Sequence, residues 1–333
     1  MSSSTEDPIS QIDLGNTFGA LFIGAILAAV LFGLSNVQVF LYFQTHGSTG
    51  ITFHKLVVIW LWIFDALHLA LIIHSIYYYL VINYANISAL TEIVWSFKLQ
   101  IVIDVILIYG AHVMYAYRIW IVSKGRSRTL PTIVCVIVVL VSGPGIAAAW
   151  SIYQCHVFTD LLRIEWATFM ALGTITCVDL IVASSLCYLL AASRTGFSNT
   201  DSFITKLMAY TINTGCLTSL FSLTTMITCA VMPRNFVFLG LEFLVTKLYV
   251  NSFLALLNAP YYLQAGANTT NSSEFHMRPR PELHIKTSQD GELQASRKNM
   301  FRFFGDEVVH STRSVKPQQP IEVAVEMDSF SSA

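Results

Sequence analysis

The sequence predicts an all-α, polytopic membrane protein with seven transmembrane helices, an outside N-terminus, a cytosolic C-terminus and a disordered C-terminal tail. Three observations carry that prediction. Charged residues make up only 12% of the 333 residues, where a soluble domain carries about a quarter; hydrophobic residues reach 54% and mean hydropathy is +0.60. Seven stretches reach the roughly 20 apolar residues that a helix needs to cross the hydrocarbon core. Lysine and arginine cluster on alternate connections, as they do when those connections face the cytosol. The domain reading is a short extracellular N-terminus at 1–16, a seven-helix transmembrane domain at 17–260 and a cytosolic tail at 261–333.

The opening segment is acidic and lacks the basic start of a cleaved signal peptide, so the first span is expected to act as its own insertion signal. The spans are expected at 17–42, 56–80, 99–121, 130–152, 166–190, 203–231 and 236–258. In the first, Gly15, Gly19, Ala20, Gly24 and Ala28 place small residues at about one-turn spacing, which lets a neighbouring helix approach closely. In the fourth, Ser142-Gly143-Pro144-Gly145 predicts a kink, because proline removes a backbone donor. In the seventh, Lys247 sits mid-span with Asn251 one turn later. An ammonium there needs other helices around it, since lipid offers no partner and a charge at the bilayer centre costs roughly 3 kcal/mol or more.

Orientation follows from the basic residues. Lys55, Arg118, Lys124, Arg126, Arg128, Arg194 and Lys206, with eight more in the tail, lie on one side, against only Lys98, Arg163 and Arg234 on the other. The sequon at Asn86 falls on the side this makes extracellular and is a glycosylation candidate; those at Asn268 and Asn271 fall inside and are expected to stay unmodified. From 264 onward, Ser, Thr, Pro and scattered charge replace the apolar runs, so the tail is expected to be disordered. Of the six cysteines all but Cys155 lie inside spans, with no disulfide or zinc spacing. Tyr77, Tyr78, Tyr79, Tyr84 and Trp95 on one side, and Tyr115, Tyr117 and Trp120 on the other, read as interfacial belts.

Ionisable residues inside the spans are the chemistry to follow. The candidate polar core is Asp65 and His68 in the second span, Asp104 and His112 in the third, Asp179 in the fifth, and Lys247 and Asn251 in the seventh. Counting about 1.5 Å per residue from the cytosolic ends places Asp65, Asp179 and Lys247 at nearly one depth, roughly 15 Å in. Asp65 and His68 share a helix face, whereas His74 points elsewhere. The economical pairing is Lys247 with Asp65 or Asp179, with His112 near Asp65. Two acids against one lysine leave an excess negative charge, which predicts that one acid is protonated or that His68 is charged. Glu242, five residues before Lys247, lies well round the helix and is not expected to pair with it. Asn213, Thr214, Thr218 and Asn258 read as interhelical hydrogen-bond formers.

Two stretches, SLCYLLAASRTGFSNTDSFITKLMAYTINTGCLTSL and TKLYVNSFLALLNA, resemble a large family of uncharacterised seven-helix membrane proteins of mushroom-forming fungi. GALFIGAILAAVLFGLSNVQVFLYF in the first span and LWIFDALHLALIIHSIYYYLVINY in the second extend the resemblance over most of 15–260. Its signature includes Arg194, Gly196, Asp201, Tyr210, Asn213 and Gly215, together with Asp65, His68 and Lys247. The resemblance implies a membrane protein of unassigned activity and supplies no ligand, cofactor or catalytic residue. Physically, Gly196 permits a turn, Thr200 or Asp201 is placed to cap the sixth span, and the basic loop beside Arg194 suits a cytosolic protein or an anionic lipid head group.

The leading functional expectation is a receptor-like or sensory protein with a small-molecule or lipid ligand and a cytosolic partner at the inner loops and tail. The alternative is a proton- or ion-coupled transporter or channel using the midplane acids, histidines and lysine, although no inverted repeat is visible. The third span ends AYRIW and offers no outer cysteine to Cys155, which departs from rhodopsin-like receptors. An intramembrane metal hydrolase would need converging histidines, and a retinal protein an acid where Phe243 stands. No catalytic residue, metal, cofactor or nucleic-acid partner is expected.

Overall fold

Lys247 and its neighbours end up at the centre of a closed helical ring. The computed structural model describes residues 15–46, 52–84, 86–123, 128–194 and 198–275, and the regular structure among them is helical apart from one isolated bridge between Glu92 and Val157. The elements are α1 (Ala20–His46), entered through a π-turn at Gly15–Gly19; α2 (Phe53–Tyr77), continued as π-helix over Tyr78–Ile82; and the short α3 (Ile87–Thr91). They continue with α4 (Trp95–Val122), α5 (Thr129–Gln154), a 3-10 turn at Phe158–Arg163, α6 (Glu165–Ala192), α7 (Ser198–Val231) and α8 (Val237–Phe275). Seven of these are long and apolar enough to cross a membrane, the last over Val237–Ala259, and each span read from the sequence overlies one of them with ends that agree to within four residues.

Consecutive spanning helices pack side by side, and α8 closes the ring against α1. α4 and α8 also touch each other, α4 reaches α6, and α8 reaches α2, so these two helices are wrapped by the rest. The apolar stretch of α8 is 83% buried inside the protein against 11% for α5, which identifies α8 as the inner helix. Between helices in lipid, close packing and hydrogen bonds replace the hydrophobic effect as the cohesive force. The structure shows both.

The small residues of α1 pack against α8. A Cβ added at Gly24 would stand 2.7 Å from the Gly240 Cα, and one at Gly240 would stand 2.8 Å from the Ala20 carbonyl, so the two backbones are in direct contact. Gly24→Leu is therefore expected to force α1 off α8 and destabilise the protein by about 1–3 kcal/mol. Gly33→Leu on the same helix, where nothing lies within 4 Å, should change little. Thermal unfolding in one detergent tests this; equal effects at the two positions would refute the close-contact account.

At the face carrying the N-terminus, the connections are tied together. Ile93 N–H bonds the His156 carbonyl at 2.9 Å, and Phe236 N–H bonds the Asn16 carbonyl at 3.1 Å. Asp160 accepts the His156 and Val157 N–H groups at 2.9 and 3.2 Å, which hold its carboxyl below the usual carboxylate range. Beneath them Phe18, Tyr79, Phe158 and Phe236 form an aromatic cluster, with Phe158 and Phe236 ring centres 4.6 Å apart.

This corrects the interfacial belt. Tyr77, Tyr84 and Trp95 face outward, but Tyr79 is buried, donating to the Glu92 carbonyl and accepting from Val94 N–H. The π-helical continuation of α2 adds a residue to the turn, and Tyr79 lies within it. Tyr115 is also buried, while Tyr117 and Trp120 face outward.

α5 is continuous helix through Pro144 and the Ser142–Gly145 segment. α8 continues as helix to Phe275, past the boundary expected at 260; residues from 276, expected to form the tail, lie outside the described residues.

Candidate functional site

Three acids from three helices meet Thr246, Lys247 and Tyr249 within one turn of α8. Lys247 Nζ donates to Asp65 Oδ1 of α2 at 2.6 Å and to the Asp65 carbonyl at 2.6 Å, and both side chains are fully buried. Thr246 Oγ1 donates to Asp104 Oδ1 of α4 at 2.6 Å. Tyr249 OH donates to Asp179 Oδ2 of α6 at 2.5 Å. Helical geometry explains the fan. At 100° per residue, Thr246 and Tyr249 share one face, while Lys247 and Tyr249 lie about 160° apart and address opposite sides.

Histidines complete two of the acids. His112 Nε2 lies 3.1 Å from Asp179 Oδ1, and Thr218 Oγ1 of α7 donates to Asp179 Oδ2 at 2.8 Å. His68 Nε2 lies 2.7 Å from Asp104 Oδ1 but without the alignment of a hydrogen bond, so that contact is electrostatic. Behind Lys247, the Phe32 ring centre is 5.3 Å from Nζ, near enough for a cation–π contact. Asn251 donates to the Leu31 and Lys247 carbonyls, and Asn258 to the Gln38 carbonyl, fastening α8 to α1.

The pairing differs from the expectation in one respect. His112 meets Asp179, not Asp65, because α4 turns that face to α6 and α8. Asp179 is held by Tyr249, Thr218 and His112 rather than by Lys247. Asp65 does pair with Lys247, and the histidines do not converge: His68 goes to Asp104, His112 to Asp179 and His74 to Ser96 at 2.8 Å. Among the described residues no group of three His, Cys, Asp or Glu side chains is placed to hold a metal.

The signature residues of the α6–α7 region divide. Gly215 lets α7 approach α6, since an added Cβ would stand 3.0 Å from the Ala183 Cβ. Tyr210 and Asn213 face out of the bundle, so the expected interhelical role of Asn213 is not seen within the chain. Arg194 is exposed and donates to Thr205 Oγ1 at 3.0 Å. Asp201 lies inside the first turns of α7 rather than at its cap, because the helix begins at Ser198. Gly196 lies outside the described residues. Asn86 is exposed just before α3.

A cavity of about 100 Å³ opens between α4, α5, α6 and α8 near the face carrying the N-terminus. It descends from Leu161, Leu162 and Glu165 to Asp104, His112 and Glu242, so it touches two of the three acid clusters. Glu242, partly exposed there, makes no hydrogen bond or ion pair with the described residues. Thr246, Tyr249 and Glu165 were not among the sequence-derived site residues. The first two were legible as one face with Glu242, at i, i+4 and i+7.

A family of unknown function, DUF6534, matches the chain at residues 175–260, which take in most of α6, all of α7 and the spanning part of α8. Neither the curated proteins nor the solved structures give a match. Together the seven apolar helices and this domain of unknown function point to an integral, multi-pass membrane protein.

Proposed function

We propose that the chain is a receptor-like seven-helix membrane protein whose ligand site is the cavity among α4, α5, α6 and α8. The observation that carries this reading is that Asp104 and His112 line the cavity and also belong to the buried acid clusters held by α8. A molecule seated there touches the side chains that set how α4, α6 and α8 pack, and those helices run to the opposite face. In this reading the cavity faces outside, as the basic-residue bias and the Asn86 sequon suggest, and the cytosolic face with its tail meets a cytosolic protein.

The test is a small-molecule and lipid screen on the protein in nanodiscs, read by thermal unfolding and then by hydrogen exchange. Compounds that stabilise the wild type and fail on the cavity-filling variant Ala171→Phe are expected to alter exchange at the far ends of α4 and α6. Cavity binding that leaves that face unchanged would overturn the receptor reading. A transporter is the second reading, favoured by the His68–Asp104 and His112–Asp179 pairs as proton-exchanging groups. It requires proton or solute flux in liposomes that falls in Asp104→Asn.

A further inference from the structure

The charge of the cavity lining indicates what class of molecule it takes. Three carboxylates, Asp104, Glu165 and Glu242, line it, and no lysine or arginine does. Arg163 and Arg234 at the same face are exposed and do not contribute to the lining. Lys247 faces the other side of α8, bound to Asp65. Within the lining only His112 offers a base, and it is turned to Asp179.

Two of the carboxylates are incompletely satisfied. Asp104 is 3% exposed, and although His68 and Thr246 meet its Oδ1, its Oδ2 has no hydrogen-bond partner. Glu242 makes no hydrogen bond or ion pair with the described residues, and Asp104 is its electrostatic neighbour. A buried carboxylate oxygen without a donor is costly in low dielectric, and a positively charged group beside it removes that cost. The rest of the lining is largely apolar, with Ile108, Val141, Leu172 and Val245 along the walls. A bare calcium or magnesium ion seeks six or more oxygen ligands and would find too few here, and among the described residues no three His, Cys, Asp or Glu side chains gather to hold a metal.

We propose that the cavity binds an organic cation, a compact amine with a short apolar body, whose charged end sits between Glu242 and Asp104. This rests on the reading of the cavity as a ligand site and names the chemistry of what enters it. Glu165 at the mouth places a third acidic side chain on the way in.

The experiment compares hexylamine, hexanol and hexanoate, which share a chain and differ in head-group charge, by thermal unfolding of the full protein in nanodiscs. Wild type, Glu242→Gln and Ala171→Phe are measured side by side. The expected result is that hexylamine alone stabilises the wild type, that Glu242→Gln weakens its apparent affinity by about 10- to 100-fold, and that Ala171→Phe abolishes the effect. Hexanol or hexanoate matching hexylamine, or an undiminished hexylamine response in Glu242→Gln, would overturn the assignment. Should Glu242→Gln not fold, the fixed-charge hexyltrimethylammonium ion against hexanol on the wild type decides in its place. If hexanol binds and Ala171→Phe blocks it, the cavity remains a ligand site and only the cation falls. If Ala171→Phe changes no response, both readings fall.

Discussion

Replacing Lys247 by methionine is expected to destabilise the protein by about 3–5 kcal/mol, because it removes one half of a buried ion pair and leaves the other. Methionine matches the volume and length of lysine well enough that packing is largely kept. What it cannot do is donate to Asp65 Oδ1 and to the Asp65 carbonyl, both now at 2.6 Å from Nζ. Asp65 is fully buried, and its Oδ2 already has no hydrogen-bond partner, so no second donor is in place to take over. Adding Asp65→Leu to Lys247→Met should recover most of the loss, since an apolar pair of similar volume is often as stable as the ion pair it replaces. Reversible unfolding in mixed micelles checks both variants. If the single variant is as stable as wild type, or the double variant is worse than the single, the pair does not hold α8 to α2.

The partner of Lys247 was legible down to two acids. A mid-span lysine demands a buried acid, and rise per residue places both Asp65 and Asp179 level with it. The seven spans were legible for an equally direct reason: an apolar run of spanning length has few alternatives. The partners of Asp104, His112 and Asp179 were not, because depth says how far along a helix a side chain lies and nothing about which neighbour that face meets. That depends on the order of helices in the ring and on the rotation of each. Lys247 and Tyr249 differ in height by only about 3 Å, yet they face α2 and α6 respectively.

The polar layer therefore has two jobs that act on different atoms. Lys247, Thr246 and Tyr249 direct their donors at acids from three helices, which is how α8 is held in register without a hydrophobic effect to press it inward. Asp104 Oδ2 and Glu242 lie outside that set of bonds, and Asp104 and Glu242 both line the cavity. Substitutions of the first group should appear as lost stability. Glu242→Gln should appear as lost binding, with stability little changed. The distinction is what separates a fastening from a site in a protein where both are built from the same residue types.

Asp179→Ala is the second substitution expected to have a large effect, about 3 kcal/mol or more, because one carboxylate gathers three helices. His112 of α4, Thr218 of α7 and Tyr249 of α8 all address Asp179 of α6. The loss is not shared equally among them. Thr218 also bonds the Thr214 and Gly215 carbonyls of its own helix, so it keeps partners when the carboxylate goes. Tyr249 is left with the neutral Thr218 hydroxyl as its side-chain partner, and among the described residues His112 pairs with Asp179, its ring otherwise meeting Tyr249 at 5.4 Å. The penalty should therefore fall mainly on these two. Tyr249→Phe, which removes one of the stranded donors, is expected to rescue part of Asp179→Ala, giving a coupling of roughly 1–2 kcal/mol in a double-mutant cycle. Thr218→Val should show little coupling. A cycle in which Thr218 couples as strongly as Tyr249 would mean that Asp179 binds α7 rather than α8, and that α8 is not what the surrounding acids are arranged to hold.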